Sequence, residues 1–445
     1  MAKDEDKKSK KRKRDVVVHQ EETNNTDVAS PKRGRSAMNQ NEAQNELDTS
    51  KPSAVFQPKN GRPWTLSIAL PGSFITNVST YDQKASLACR IARACAVFCV
   101  DEIVVFDDDP HTIPQQTQQK VNSNNKGHKG SWSSVNKQTS KTKAEVLAEV
   151  SDIDEPWHNP DQFLFHVLSY LETPPHLRRY LFQHHPNLKG AGSFTSLDMP
   201  HHMRADEWCV YREGVTLEND SHSHGQQREQ GEPEKKKKKS KKGEKEKEDV
   251  FTMVECGLSA PVRIPIELPP YVRVTVKFAS QAPPPGFPNL SPDQVANLEV
   301  EATSPSDPRE EGGYYWGYTV RRAATFSDIY TESPFENGYD ISIGTSERGV
   351  PLKSLIPGLA SSKGGKQLLP LSFNHAVMVF GGVAGLEPAI AGDATLAANG
   401  ITKETAGEAF DYWVNLAPGQ GSRTIRTEEA VWIGLAGIRE YVGNM

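Results

Sequence analysis

The fold class is decided by residues 64–107, which read WTLSIALPGSFITNVSTYDQKASLACRIARACAVFCVDEIVVFD. The apolar run 64–70, ended by Pro71-Gly72, is typical of a buried strand followed by a turn. One face of a helix is predicted next, because small and apolar residues recur at helical spacing: Ala88, Ile91, Ala92, Cys95 and Cys99. Residues 102–107 predict a second strand. Strand, helix and strand in this order predict a parallel α/β fold.

The composition indicates that part of the chain does not pack into a core. Apolar residues are 36% of the 445, and mean hydropathy is −0.62, both low for a uniformly globular chain. A formal charge of −5 excludes a chain that is cationic throughout. The sequence has neither a membrane-length apolar run nor a secretory signal pattern, so we expect a soluble intracellular protein with no membrane partner. Five cysteines without C-x-x-C spacing indicate neither a disulfide framework nor a metal site.

Three segments have the composition of solvated chain. Residues 1–60 form a predicted disordered basic tail, whose blocks Lys7–Arg14 and Lys32–Arg35 resemble a bipartite nuclear import signal. This pattern predicts recognition by an import receptor and location in the nucleus or nucleolus; the alternative is a charged tail with no receptor. Residues 110–150 are a polar, low-complexity insertion. The arm 217–249 is lysine-rich and cannot pack, and it supplies three candidate RNA contacts: Lys235, Lys236 and Lys237.

Short β-type segments between residues 194 and 305, such as the alternating run Val272–Phe278, predict a small β domain. It would be inserted into the α/β domain and itself be split by the lysine-rich arm. The α/β domain then comprises residues 61–193 and 306–445.

Three predicted strands near the C-terminal end are each followed by a glycine-bearing loop. The loops are Gly344–Gly349, Gly381–Gly385 and Asn415–Arg423. Ligands collect at the carboxyl ends of parallel strands, and glycine lets the backbone approach them, so the three loops predict one pocket. Any one of them could equally be a plain turn. Val350-Pro351 stand where a P-loop needs Lys and Ser/Thr, which disfavours nucleotide hydrolysis.

A helix is predicted after the third loop, with Val431, Leu435 and Ile438 on one face. Thr427 is positioned to cap it, and Glu428 and Glu429 would oppose the positive end of its dipole. Arg423 and Arg426 have no such role at a helix N-terminus. They indicate an anionic partner, such as RNA phosphate or a ligand carboxylate, or else a surface salt bridge.

The segment Asn415–Ala430, supported by Gly317–Arg321 and Gly338–Gly349, resembles the eukaryotic and archaeal branch of the SPOUT RNA methyltransferases. The resemblance covers most of residues 62–445 outside the polar insertion and the lysine-rich arm. It implies an α/β domain with a C-terminal trefoil knot, an OB-like inserted β domain and a homodimer. It also implies S-adenosylmethionine as cofactor, bound in the knot mainly by backbone groups.

Carried onto this chain, the resemblance places the cofactor among ten residues: Thr345, Ser346, Gly381, Gly382, Asn415, Leu416, Gly419, Gln420, Thr424 and Ile425. In the family an arginine of the first helix faces the cofactor of the partner subunit. Arg93 is the candidate here, and Arg90 is the second choice.

The implied function is S-adenosylmethionine-dependent methylation of a ribosomal RNA base, with uridine N3 preferred. Arg93 or Arg426 would stabilise the deprotonated base, and Glu428 would accept its proton. Arg90 and Arg423 would join the three lysines in contacting RNA. The alternative is a non-catalytic RNA-binding or assembly scaffold that retains the knot. The histidine pairs His184-His185 and His201-His202 are expected to be solvated loop residues.

Overall fold

The computed structural model describes residues 60–108, 159–218, 250–360 and 367–443. The basic tail, the polar insertion and the arm with Lys235, Lys236 and Lys237 lie outside these residues, apart from a few flanking positions. The strands are β1 (Thr65–Pro71), β2 (Glu102–Phe106), β3 (Tyr211–Thr216), β4 (Thr252–Glu255), β5 (Val262–Ile264), β6 (Arg273–Phe278), β7 (Val300–Thr303), β8 (Thr319–Ala323), β9 (Ile341–Pro351), β10 (His375–Val379) and β11 (Tyr412–Asn415). The α-helices are α1 (Tyr81–Val97), α2 (Pro160–Glu172), α3 (Arg178–Leu181), α4 (Pro292–Ala296), α5 (Asp307–Glu310), α6 (Asp328–Thr331), α7 (Glu387–Gly392), α8 (Ala394–Ala398) and α9 (Thr427–Val442).

A six-stranded parallel sheet has the order β11-β9-β10-β1-β2-β8. The predicted parallel α/β fold is thereby confirmed. Side chains of α1, α2 and α9 pack in one core with one face of the sheet. Side chains of α6 and α7 pack in a second core with the other face. The sheet is therefore covered on both sides, as a parallel sheet requires.

Helix α1 buries the predicted stripe. Thr80 caps its N-terminus by accepting a hydrogen bond from the Gln83 amide at 3.3 Å. Ala88, Ile91, Ala92 and Cys95 are all 0% exposed. Cys99 departs from the prediction, because the helix ends two residues earlier and Cys99 adopts a φ of +55° on the way to β2.

The second sheet is antiparallel and has the order β5-β4-β3-β6-β7. Its outer strands β5 and β7 contact each other, and its strands enclose a separate apolar core. Strand β3 begins at Tyr211, where pairing with β6 starts.

A buried ionic cluster joins the two sheets. Arg273 of β6 makes a bidentate ion pair with Glu172 at the end of α2, with N–O distances of 2.6 and 3.0 Å. The same guanidinium contacts Glu213 of β3 at 2.5 Å. His201 is 0% exposed and lies 2.9 Å from a Glu172 carboxylate oxygen. The expectation of solvated histidines is therefore wrong for the pair His201-His202, because both rings pack against Glu172.

No helix among the described residues is long and apolar enough to cross a membrane.

Candidate active site

The three glycine-bearing segments meet around one cavity of about 280 Å³. Its walls are Thr345, Ser346, Glu347, Arg348, Gly381, Gly382, Val383, Ala384, Gly385, Glu387, Lys403, Asn415, Leu416, Gln420, Arg423, Thr424, Ile425 and Ala430. Nine of the ten predicted cofactor residues are in this set. Gly419 is not, and its φ of +77° assigns it to a turn beside the cavity.

The first segment differs from its prediction, because Gly344–Gly349 belongs to strand β9 and is not a loop. Gly344 pairs with Trp413 of β11, but the next residue of β11, Val414, pairs with Val350. The chain between these two pairs therefore bulges from the ladder, which presents Thr345 and Ser346 to the cavity.

The second segment is a tight turn. The Gly385 amide donates to the Gly382 carbonyl at 3.1 Å, and Gly385 has a φ of +82°. A Cβ on Gly381 would lie 2.6 Å from the Gly385 carbonyl carbon, so only glycine fits there without displacement of the turn. Thr427 donates its hydroxyl to the Gly381 carbonyl at 2.9 Å. The expectation that Thr427 caps α9 is therefore wrong; Arg426 occupies the cap position.

The third segment is held by side-chain hydrogen bonds. Asn415 Nδ2 donates to the Glu347 carbonyl at 2.8 Å, and Asn415 Oδ1 accepts from the Ala417 amide at 3.0 Å. Gln420 Nε2 donates to the Ser422 carbonyl at 3.0 Å. The side chains of these predicted residues thus hold the shape of the segment.

Charged side chains of both signs line the cavity. Glu387, at the start of α7, is only 6% exposed; it accepts from Ser346 Oγ at 3.4 Å and lies 3.8 Å from Arg348. Arg423 and Lys403 are exposed at the same cavity. Sequence reasoning missed Glu387, Arg348 and Lys403. Of these three residues, Glu387 could have been predicted from the sequence, because it follows the second glycine turn by two residues.

Several backbone amides of the cavity make no hydrogen bond within the part of the chain that the structure describes. The amides of Val383, Ala384, Thr424 and Ile425 donate to no protein group among the residues that the structure describes. Because these amides are not bonded within the described protein, they are available to the hydrogen-bond acceptors of a ligand. Leu416 and Ile425 add apolar surface beside them. The cavity can therefore hold a small ligand that has both polar edges and an apolar ring.

Four other predicted residues are not among the cavity walls. Arg93 is half-buried on α1 and donates to the Leu197 carbonyl at 2.6 Å, and Arg90 is exposed on the same helix. Arg426 is exposed, and its amide donates to Glu429. Glu428 is 6% exposed on α9. Their roles toward a base or a partner subunit stay predictions.

Fold and site together define an α/β protein whose candidate ligand site lies beside a β-bulge of one parallel strand and a glycine turn after another. Comparison with known families assigns the chain to one family within that class. The family described as "Putative RNA methyltransferase" matches residues 65–438. The chain belongs to this RNA methyltransferase family.

Three relatives carry the same name, 28S rRNA (uridine-N(3))-methyltransferase. The protein of Homo sapiens is 36% identical over 388 residues, which are 87% of this chain and 81% of the relative. The protein of Mus musculus is 36% identical over 85% of this chain and 77% of its own length. The protein of Drosophila melanogaster is 33% identical over 85% of this chain and 62% of its own length.

Proposed function

We propose that this protein is an S-adenosylmethionine-dependent methyltransferase that modifies N3 of a uridine in 28S ribosomal RNA. Family membership establishes the reaction class, and the names of three relatives support the substrate atom. The observation that carries the proposal is the cavity in which a β-bulge, a glycine turn and the segment after β11 meet. It contains most of the residues at which the SPOUT resemblance places the cofactor.

S-Adenosylmethionine, when bound, supplies a methyl group on a sulfonium centre that a nucleophilic base nitrogen can attack. The residues present fit this molecule, because free amides and apolar side chains suit an adenine ring and Glu387 provides a buried negative charge for a cation. Gly381, Gly382, Leu416, Thr424 and Ile425 would hold it.

Methylation at uridine N3 requires that the N3 proton leave and that the resulting negative charge be stabilised. Arg423 lines the cavity and is exposed, so it can face an incoming base. Glu387 is the buried carboxylate of the cavity, which makes it a better placed proton acceptor than Glu428. Holding the base nitrogen at about 3–3.5 Å from the methyl carbon would supply much of the rate.

The test is transfer of tritium from labelled S-adenosylmethionine into 28S rRNA from cells that lack this protein, followed by mass spectrometry of the nucleosides. We expect label in N3-methyluridine and none in RNA from normal cells. Binding of RNA without label transfer would support the scaffold alternative, and label in another nucleoside would refute the uridine assignment. Glu387→Gln is the matched variant, and we expect it to slow transfer while RNA still binds.

We further propose that the C-terminus is knotted. Described residues of the connection between β9 and β10, such as Leu352 and Leu369, pack in the same core as α9. Tyr441 of α9 donates to the Pro370 carbonyl at 2.7 Å and stacks on Phe373 with ring centroids 5.7 Å apart. Such crossing contacts support a helix threaded beneath that segment. Limited proteolysis of α9 should be slow in the native protein, whereas rapid release of α9 would contradict threading.

The inserted sheet is proposed to be an OB-like barrel. Its strand order is β5-β4-β3-β6-β7, and the two outer strands β5 and β7 contact each other. This arrangement supports a five-stranded barrel of the OB type. This fold binds single-stranded nucleic acid, which suits an RNA substrate.

A homodimer is proposed through α1 and α9. Val97, Trp432 and Ile433 are 46%, 37% and 37% exposed, and Phe98 packs edge-on against Trp432. Neighbouring exposed apolar side chains suit an interface between copies. Light scattering should show a dimer for the native chain and a monomer for Ile433→Glu. The role of Arg93 would be refuted if the Arg93→Ala variant remained a dimer, bound the cofactor and methylated RNA normally.

Nuclear or nucleolar location is proposed from the two basic blocks of the tail. A fluorescent fusion in which Lys7–Arg14 and Lys32–Arg35 are neutralised should leave the nucleus, and an unchanged distribution would reject the import signal.

A further inference from the structure

A second concave surface lies away from the cofactor cavity, after the end of α2. It encloses about 860 Å³ and is formed by Tyr170, Pro175 and residues 178–192, with gaps at three positions. We call it the 170–192 groove. None of its lining residues is acidic, whereas Arg178, Arg179 and Lys189 are cationic. A concave surface with one sign of charge attracts an opposite charge more strongly than a flat one.

Two of these cations are available to a partner. Arg179 and Lys189 are exposed, and neither has an ion pair within the described ranges. Arg179 lies over the Tyr180 ring at 4.6 Å and donates to the Tyr180 hydroxyl. Arg178 is different, because it donates to the carbonyls of Leu171 and Thr173 and so completes the C-terminus of α2.

Half-buried aromatic rings stand beside the cations. Tyr170 packs edge-on against Phe182 with centroids 5.3 Å apart, and Arg178 lies 4.6 Å above the Tyr170 ring. Both rings line the groove and are partly exposed. Exposed aromatic rings interleaved with cations are the surface on which successive nucleic acid bases stack while phosphates pair with Arg and Lys.

The groove is preformed because its outer wall is fastened to the protein. Tyr81 of α1 donates its hydroxyl to the Asn187 carbonyl at 3.0 Å. His166 of α2 hydrogen-bonds the Asn187 amide group at 2.9 Å and packs against His185 at 4.4 Å. The guanidinium of Arg93 donates to the Leu197 carbonyl, which attaches the chain that follows the groove to α1. Preorganisation of this kind reduces the entropy cost of binding.

We propose that the 170–192 groove binds a single-stranded segment of the substrate RNA, with phosphates at Arg179 and Lys189 and a base against Phe182. This inference rests on the proposed function, since it assumes an RNA substrate. It assigns RNA contact to a surface separate from the inserted β domain and from the cofactor cavity. Charge and aromatic content favour RNA over a protein partner here.

The test compares full-length variants by fluorescence anisotropy with a labelled oligouridylate over a series of salt concentrations. R179A/K189A removes the two free cations, and R322A/K353A is the matched control because it removes two exposed cations elsewhere. We expect the groove variant to bind roughly tenfold more weakly at low salt. Its slope of log affinity against log salt should fall by about 1.4, at ~0.7 for each lost phosphate contact. Phe182→Leu should weaken binding about 5- to 150-fold through lost stacking.

Equal RNA affinity of the groove variant and the control, or an unchanged salt slope, would overturn the proposal and would point to a protein partner instead. Calorimetry with S-adenosylmethionine should give the same affinity for all variants, which confirms that they are folded. Failure of the proposed function is distinguishable, because methyl transfer is measured separately. A chain that binds oligouridylate through the groove without methylating rRNA would retain this inference and lose the enzymatic one.

Discussion

Replacement of Gly381 by alanine is expected to damage the cofactor cavity while leaving the fold in place. An added Cβ would meet the Gly385 carbonyl carbon at 2.6 Å, whereas ordinary contacts begin near 3.4 Å. The turn Gly381–Gly385 must therefore open by about 0.8 Å, and it forms one wall of a cavity of only about 280 Å³. Overpacking of this size costs about 1–3 kcal/mol. If that strain falls on the bound state, the dissociation constant for S-adenosylmethionine rises about 5- to 150-fold.

Gly392→Ala is the control, because it adds the same methyl group to the last residue of α7, which is not among the cavity walls. Nothing lies within 4 Å of the added Cβ there. Isothermal titration calorimetry with S-adenosylmethionine measures both variants, and thermal melting shows whether they are folded. The reasoning is refuted if folded Gly381→Ala binds the cofactor as tightly as the native protein, or if Gly392→Ala is impaired to the same degree.

Three further predictions concern the described side chains. Arg273→Ala leaves Glu172 and Glu213 buried without their cation, so urea unfolding should show a loss of about 3–5 kcal/mol; a loss below about 1 kcal/mol would contradict a tightly coupled ion cluster. Burial and the nearby His201 lower the pKa of His202 to about 3. The folded state therefore resists protonation while the unfolded state gains a proton below pH ~6.5, so stability should fall on acidification from there by at most about 1.4 kcal/mol per pH unit. His202→Gln should reduce that decline, and an unchanged pH profile would argue against it. Thr427→Val removes the donor to the Gly381 carbonyl. Calorimetry should show cofactor affinity reduced about 2- to 10-fold, because such a hydrogen bond contributes about 0.5–1.5 kcal/mol. Unchanged affinity would show that this hydrogen bond does not support the cavity.

Periodicity predicted the parts of the fold that local burial controls. The stripe of α1 and the face of α9 were predictable because a helix with one buried side repeats its apolar residues every three or four positions. The parallel sheet followed from strand, helix and strand in sequence. The prediction that Cys99 lies on the helix was wrong, because the chain turns away after the helix ends and the apolar pattern contains no signal for that turn.

Pairings between distant residues were not predictable. The bulge at residues 345–349 depends on how β11 aligns with β9, and nothing local in either segment states that alignment. The burial of His201 depends on Glu172 and Arg273, which are brought to it by two other elements. Glycine turns identified the cavity, whereas the contact between Glu387 and Ser346 depends on α7 lying beside β9.

The most direct measurement is a crystal structure of the protein grown with S-adenosylmethionine. We expect density for the cofactor between the turn at Gly381–Gly385 and the segment Leu416–Ile425, with backbone amides of Val383, Ala384 or Ile425 within hydrogen-bond distance of it. Cofactor bound elsewhere on the protein, or an empty cavity at saturating concentration, would contradict the assignment of this site.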